Sequence, residues 1–209
     1  MMSGMHPSAA SKANLRLYGR RVMLRPLLPA DFHAYREVRL RNEDWLIPWE
    51  PSRLSLAADP IRDQGAFIAR CNLRDRERQL GGAYGLGLFV NDALCGEVNL
   101  NNVQRGALQT ATVGYWVDQA QAGHAYVAEA VVVLARFAFE ELMLHRLEIC
   151  IIPRNHRSRR VMEKLQVRDE GIAVRYLEIN GVWEDHIRFG FTAEEWADRR
   201  AELFGAWLS

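Results

Sequence analysis

Hydrophobic and polar positions along this 209-residue chain follow the two periods of regular structure, two for strands and 3.6 for helices. Leu17 to Pro26 reads as a strand. Asp31 to Arg41 reads as a helix with Phe32, Tyr35 and Val38 on its apolar side. A second helical region covers about Asp59 to Arg78, with Ile61, Phe67, Ile68 and Leu73 turned inward and a charged tail from Arg74. Gly81, Gly82, Gly85 and Gly87 loosen the start of a strand that reaches Val90. Asn91-Asp92 then turns the chain into Ala93 to Val103, and Arg105-Gly106 turns it again into Gln109 to Val117. Links this short make antiparallel neighbours.

Tyr126 to Leu142 is the longest apolar helix; its Val131-Val132-Val133 run could pass for strand, but the surrounding Ala, Leu and Glu favour helix. Arg146 to Ile152 is a strand that enters a short helix through Asn155. Val167 to Ile179 and Val182 to Phe191 form a hairpin around Asn180-Gly181. Thr192 starts a last helix, with Glu194 and Glu195 in its first turn and Trp196, Leu203 and Trp207 on it. The order predicts an α/β fold, a mixed sheet with helices on both faces. No repeat or linker divides it, so residues 15–209 read as one domain behind a mobile arm, Met1 to Asn14.

Composition narrows the functional classes. With 49% hydrophobic residues the chain can bury one substantial core, and a net charge of +1 argues against an extended nucleic-acid surface. Cys71, Cys95 and Cys150 lie in apolar stretches and read as reduced buried thiols. The histidines His6, His33, His124, His145, His156 and His186 are scattered, and no metal-binding spacing exists. No run approaches a membrane span and the start lacks an apolar signal region, so the expected location is the cytoplasm.

The chemistry concentrates in two strand, loop and helix passages. Tyr115-Trp116-Val117-Asp118-Gln119-Ala120-Gln121-Ala122-Gly123-His124-Ala125-Tyr126 runs straight into Val127-Ala128-Glu129-Ala130. Free N–H groups and the positive end of a helix dipole converge there, as an anion site requires; a plain strand-to-helix connection would also use the glycine. Neither G-x-G-x-x-G nor G-x-x-x-x-G-K-[ST] occurs, which argues against dinucleotide and P-loop sites. In the second passage Asn155 is placed to cap a helix, with Ser158 in its first turn. Arg154, Arg157, Arg159 and Arg160 crowd a helix N-terminus, where the dipole disfavours cations by roughly a few tenths of a kcal/mol each. A negative ligand would compensate.

Tyr-Trp-Val-Asp…Ala-Gly-His-Ala-Tyr…Glu-Ala and Pro-x-Asn-x-x-Ser…Glu-Lys-Leu together resemble the acetyl-CoA core of the GNAT acyltransferase superfamily. Asn42 to Pro51, Cys95 to Val103 and Ile179 to His186 narrow the resemblance to the RimJ/RimL branch, which acetylates protein N-termini, and the match runs from about Leu17 to about Phe191. It implies a mostly antiparallel sheet splayed at the cofactor. One departure is Ala120, where the superfamily loop usually carries Gln or Arg, with Gln119 and Gln121 only beside it. Most ligands in such a loop are backbone N–H groups, so binding should survive.

The resemblance implies acetyl-CoA as cosubstrate, no metal, and cofactor contacts at Tyr115, Trp116, Val117, Gln121, Gly123, His124, Ala125, Tyr126, Val127, Asn155, Arg157, Ser158 and Arg160. A backbone donor at the splayed end of Tyr115-Trp116-Val117 would polarise the acyl carbonyl, with the pantetheine arm pairing like an added strand. Glu97, on a neighbouring strand amid apolar residues, is the best candidate base for the amine; a solvent-facing role is its alternative. Ser158 resembles the hydroxyl that relatives place near the sulfur, and capping is a compatible role. Relatives of the RimL type use a glutamate where Leu177 stands here, with Glu178 beside it on the other face of the strand, so that role does not carry over.

Trp45 and Trp49 can wall a peptide groove, Glu50 could attract an ammonium, and Asn99 and Asp185 complete the acceptor set. His186 is a competing base, with a structural hydrogen bond in the last hairpin as its alternative. The expected acceptor is a protein or peptide N-terminus, such as that of a ribosomal protein, handled by a monomer or homodimer without contact to nucleic acid or membrane. Small amines (polyamine, amino acid, aminoglycoside) and a catalytically idle acyl-CoA- or ribosome-binding module are the alternatives.

Overall fold

The computed structural model describes residues 15–51 and 58–209, and the arm expected over Met1 to Asn14 lies outside them. The stretch expected as one strand is two, β1 (Leu17–Tyr18) and β2 (Val22–Arg25), paired antiparallel. The turn between them closes with a 2.9 Å bond from the Gly19 N–H to the Val22 carbonyl. A Cβ on Gly19 would meet a carboxylate oxygen of Glu129 at 2.7 Å, which is why the tight turn falls at a glycine.

Helix α1 (Phe32–Arg41) buries Phe32, Tyr35 and Val38 as expected, and the one-turn α2 (Glu43–Leu46) follows through Asn42. Helix α3 (Gln64–Leu80) starts later than the hydrophobic pattern predicts, because Asp63 caps it by accepting from the Ala66 N–H at 2.6 Å. That phase buries Phe67, Cys71 and Arg78, whereas Leu73 is exposed and Ile68 only half-buried, against expectation.

Strands β3 (Tyr84–Val90), β4 (Ala93–Gln104) and β5 (Thr110–Val117) form an antiparallel meander. Asn91 and Asp92 both take left-handed φ, 48° and 62°, at the first turn, as a tight hairpin needs. Helix α4 (Tyr126–Arg136) relaxes into a π-turn at Phe137–Glu141, and β6 (Arg146–Ile151) follows. Helix α5 (His156–Leu165), the hairpin β7 (Arg168–Ile179) and β8 (Val182–Thr192), and helix α6 (Ala193–Trp207) complete the chain. Thr192 and Glu195 form the capping box of α6, and Trp196 and Leu203 are buried on it.

The eight strands lie in the order β1-β2-β3-β4-β5-β6-β8-β7. Every pairing is antiparallel except β5 with β6, which stops after Thr110–Arg146, Ala111–Leu147 and Thr112–Glu148. The main core packs α4 against one sheet face through Val98, Leu100, Val113, Leu134, Leu147 and Ile149. A second cluster holds α1 and α3 on the other face through Phe32, Tyr35, Phe67, Cys71, Phe89 and Leu94. The outermost strand β7 is bulged twice, with Gly171 at φ 94° and Arg175 at φ 48°. Among the described residues, no helix is long and apolar enough to cross a membrane.

Candidate functional site

Beyond Thr112 the strands β5 and β6 separate, and β5 keeps an unpaired edge. The Asp118 N–H donates to the Cys95 carbonyl at 2.7 Å, and a Cβ on Gly96 would strike the Trp116 carbonyl oxygen at 2.3 Å, so Trp116 and Asp118 face β4. By strand alternation Tyr115 and Val117 aim their N–H and C=O groups into the opening. The Val117 carbonyl there accepts from the Trp45 indole at 3.0 Å. Trp116 is a correction to the expected cofactor set: its backbone serves β4 and its indole lies on the α1 and α3 face, donating to Glu97 at 2.8 Å.

Asp118 ends β5 and caps a 3₁₀ turn at Gln119–Gln121 by accepting from the Ala120 N–H. Gly123 (φ 86°) and Ala125 (φ 64°) are both left-handed, and α4 starts without a side-chain cap. The first α4 N–H with a protein acceptor is that of Glu129, which donates to the Ala125 carbonyl at 3.1 Å. Among the described residues those of Gly123 through Ala128 have no protein acceptor, and the first turn of α4 leaves its own N–H groups at the positive end of the helix, as an anion cradle requires. Gln121, His124, Ala125, Tyr126 and Val127 sit in or beside it; the His124 and Tyr126 rings stack, and Arg21 lies 5.0 Å from the Tyr126 ring centre.

Across the opening, Asn155 caps α5 by accepting from the Ser158 N–H at 3.1 Å. The Ser158 hydroxyl lies 2.9 Å from the Tyr115 hydroxyl, so the pair spans the gap between β5 and α5. Burial pushes the Tyr115 phenol up, against a smaller downward pull from Ser158, which keeps it a proton donor. Arg157 lies 4.4 Å from the Trp45 ring centre, and Arg160 is exposed.

The acceptor residues come together in part. Trp45 reaches the opening through its bond to Val117, and Arg154 lies 4.9 Å from the Trp49 ring centre and pairs with Glu184. The Asn180 N–H donates to the Glu50 carbonyl at 3.0 Å, bringing the last hairpin against this segment. Glu50 itself is a correction: its carboxylate is held bidentately by Arg39 at 2.5 and 2.7 Å, so it offers no open charge to an ammonium. Asn99 also falls outside the mouth, accepting from the Leu86 N–H at 3.1 Å. Asp185 accepts from the Arg175 N–H at 2.8 Å and thereby stabilises the β7 bulge. His186 is 2% exposed, its Nδ1 3.0 Å from the Glu184 carbonyl oxygen, which is the structural alternative.

Glu97 is the largest correction. It is 4% exposed on the α3 side of the sheet, with Arg70 2.6 Å from Oε1 and the Trp116 indole 2.8 Å from Oε2. Both oxygens are engaged, and the side chain leaves β4 on the face that braces α3. The geometry gives it a load in the frame.

Two functional partners escaped sequence reasoning. Glu129, 1% exposed, accepts from the Val22 N–H at 3.1 Å and from Arg21 Nε at 2.8 Å, tying the cradle helix to the β1–β2 turn. Asp118 is 2% exposed and is held by Arg41 and Asn42. Both partners stand 76 or more positions away in the chain, beyond any local pattern. Among the described residues no His, Cys, Asp and Glu cluster could hold a metal ion.

An unpaired strand edge beside an anion cradle matches a known architecture, and residues 21–168 match the family model described as the Acetyltransferase (GNAT) domain. The chain belongs to the GNAT acetyltransferase family. It is an acetyl-CoA N-acetyltransferase of that family. It is 37% identical over 172 residues to the probable N-acetyltransferase YjcK of Bacillus subtilis (strain 168), covering 81% of this chain and 93% of that protein. Ribosomal protein uS5-alanine N-acetyltransferase of Escherichia coli (strain K12) is 29% identical over 188 residues, 89% of this chain and 95% of that one. Among solved structures, Mycobacterium smegmatis RimJ in complex with CoA-disulfide superposes with a TM-score of 0.85 at 29% identity, covering 93% of this GNAT chain and 95% of that one.

Proposed function

We propose that this GNAT enzyme acetylates the N-terminal amine of a protein or peptide, by direct attack within a ternary complex. The observation that carries this is the charge balance at the mouth. Glu50 is neutralised by Arg39 and Glu184 by Arg154, while Arg154 and Arg157 cover the two tryptophans. Such a wall repels polycations such as polyamines and aminoglycosides, and it suits an extended chain whose carbonyls meet guanidinium and indole donors. The likeness to the uS5-alanine acetyltransferase of Escherichia coli supports the same acceptor class.

In this reading the N–H groups of Gly123 to Ala128 hold the pyrophosphate of acetyl-CoA, which supplies the activated acyl group when bound. The outward N–H groups of Tyr115 and Val117 are the donors available to an acyl carbonyl. Ser158, backed by the protonated Tyr115, donates a hydrogen bond to the departing sulfur. With Glu97 engaged elsewhere, the amine loses its proton to water at the mouth. Turnover of acetyl-CoA should be measured against peptides differing in their first residue, spermidine and an aminoglycoside. Peptides should lead in kcat/KM by at least about tenfold, roughly 1.4 kcal/mol of discrimination. Spermidine or the aminoglycoside matching the best peptide would overturn the assignment.

A further inference from the structure

The corner between α1 and α2 is fastened to three consecutive residues where β5 ends and the cradle loop begins. Trp45 donates to the Val117 carbonyl at 3.0 Å, and Asn42 Nδ2 donates to Asp118 Oδ1 at 2.8 Å. The Gln119 N–H donates to Asn42 Oδ1 at 2.9 Å, and Arg41 donates to Asp118 Oδ2 at 2.5 Å. Asn42 Nδ2 also reaches the Val38 carbonyl at 2.8 Å, so its amide orientation is fixed by partners on both sides. Asn42 and Asp118 are 1% and 2% exposed, which makes each unmet donor or acceptor costly.

We propose that Asn42 and Asp118 are positioning residues, setting the start of the cradle loop in register with the acceptor wall and thereby tuning CoA affinity. Neither touches the cosubstrate. The proposal rests on the reading that the Gly123 loop holds CoA phosphates. The corner that carries Trp45 at the acceptor mouth is bonded to the residues that launch the loop, so a shift on one side displaces the other. Each side supplies what the other needs: the Asn42 amide donates to Asp118 and to the Val38 carbonyl and accepts from the Gln119 N–H, and Asp118 also accepts from the Ala120 N–H.

The test uses Asn42→Asp, Asp118→Asn and Arg41→Ala, with CoA affinity by calorimetry, KM for acetyl-CoA, kcat and thermal unfolding. Each of Asn42→Asp and Asp118→Asn should weaken CoA binding by about tenfold or more with a smaller change in kcat. Arg41→Ala is the mild variant: the Arg41 side chain is 45% exposed, and only its ion pairs with Asp118 and Glu37 are lost. It should remain folded and weaken CoA by about three- to tenfold. Folded single variants with parental CoA affinity, or an Arg41→Ala protein of unchanged CoA affinity, would each overturn the proposal. Should the loop not be the CoA site at all, Gly123→Glu would leave affinity intact, an outcome separate from these.

Discussion

Glu97→Gln separates a base from a brace. The substitution keeps the shape, but an amide has one acceptor where the carboxylate offers two to Arg70 at 2.6 Å and the Trp116 indole at 2.8 Å. A charge-assisted bond worth about 1.5 to 3 kcal/mol is lost, and the new NH₂ group faces a donor, leaving one polar group unmet at about 1 to 3 kcal/mol. Arg70 keeps 22% of its side chain in contact with solvent while Glu97 keeps 5%, so water recovers part of the deficit. The expected net loss is roughly 2 to 4 kcal/mol. Urea unfolding should show it as a lower midpoint at unchanged slope. The acetyl-transfer pH profile of the folded variant should keep its limbs, with kcat within about threefold, since a positioned base would be worth about 100-fold or more. Replacing the pair by apolar residues, Glu97→Leu with Arg70→Met, should recover only part of the stability, since the Trp116 indole then lacks its acceptor. A Glu97→Gln protein of parental stability that loses the acidic limb and falls 100-fold in kcat would refute the bracing role and restore the base.

Tyr115→Phe and Ser158→Ala should each lower kcat by about 10- to 100-fold with CoA affinity nearly kept, measured by thiol release; full activity in both would remove them from the leaving-group step. On the acid side, hydrogen bonds from Arg146 and then Arg168 hold the Glu170 carboxyl at about 2, against an ordinary 4.5. Its folded value is depressed, so its stabilisation is present above about 4.5 and fades as pH falls from there to about 2. Stability against pH measured by chemical unfolding should be flatter across that window in Glu170→Gln, and an unchanged slope would show that the ion pairs with Arg146 and Arg168 carry no linkage.

What was legible in the chain follows the range of the physics involved. The hairpin at Asn180-Gly181, with φ of 47° and 83°, the caps at Asn155 and Thr192, and the glycine of the cradle are local conformational demands, written in one or two residues. The turn that splits the first strand is a packing demand: Gly19 is needed because Glu129 arrives from a helix far along the chain. Glu97 was misjudged for the same reason. Its partners lie 27 and 19 positions away, and nothing beside it in sequence discloses an arginine and an indole on that face. Glu50 likewise reads as a free charge until Arg39 is folded against it.

The two outer margins of the sheet bear on how this protein stays apart from its neighbours. At one margin β1 offers only two residues, Leu17 and Tyr18. At the other, β7 exposes Ile172, Val174 and Leu177, the composition of a self-associating edge. Its two bulges break the spacing of the ladder, and the Arg175 N–H that would invite a stranger is already bonded to Asp185. A foreign strand therefore finds no straight template at either end. The row of backbone groups along β5 that an extended chain can still read lies inside the sheet, reached past Trp45 and Arg157. The same geometry thus withholds the outer margins of the sheet from promiscuous pairing and confines the open backbone groups to its interior.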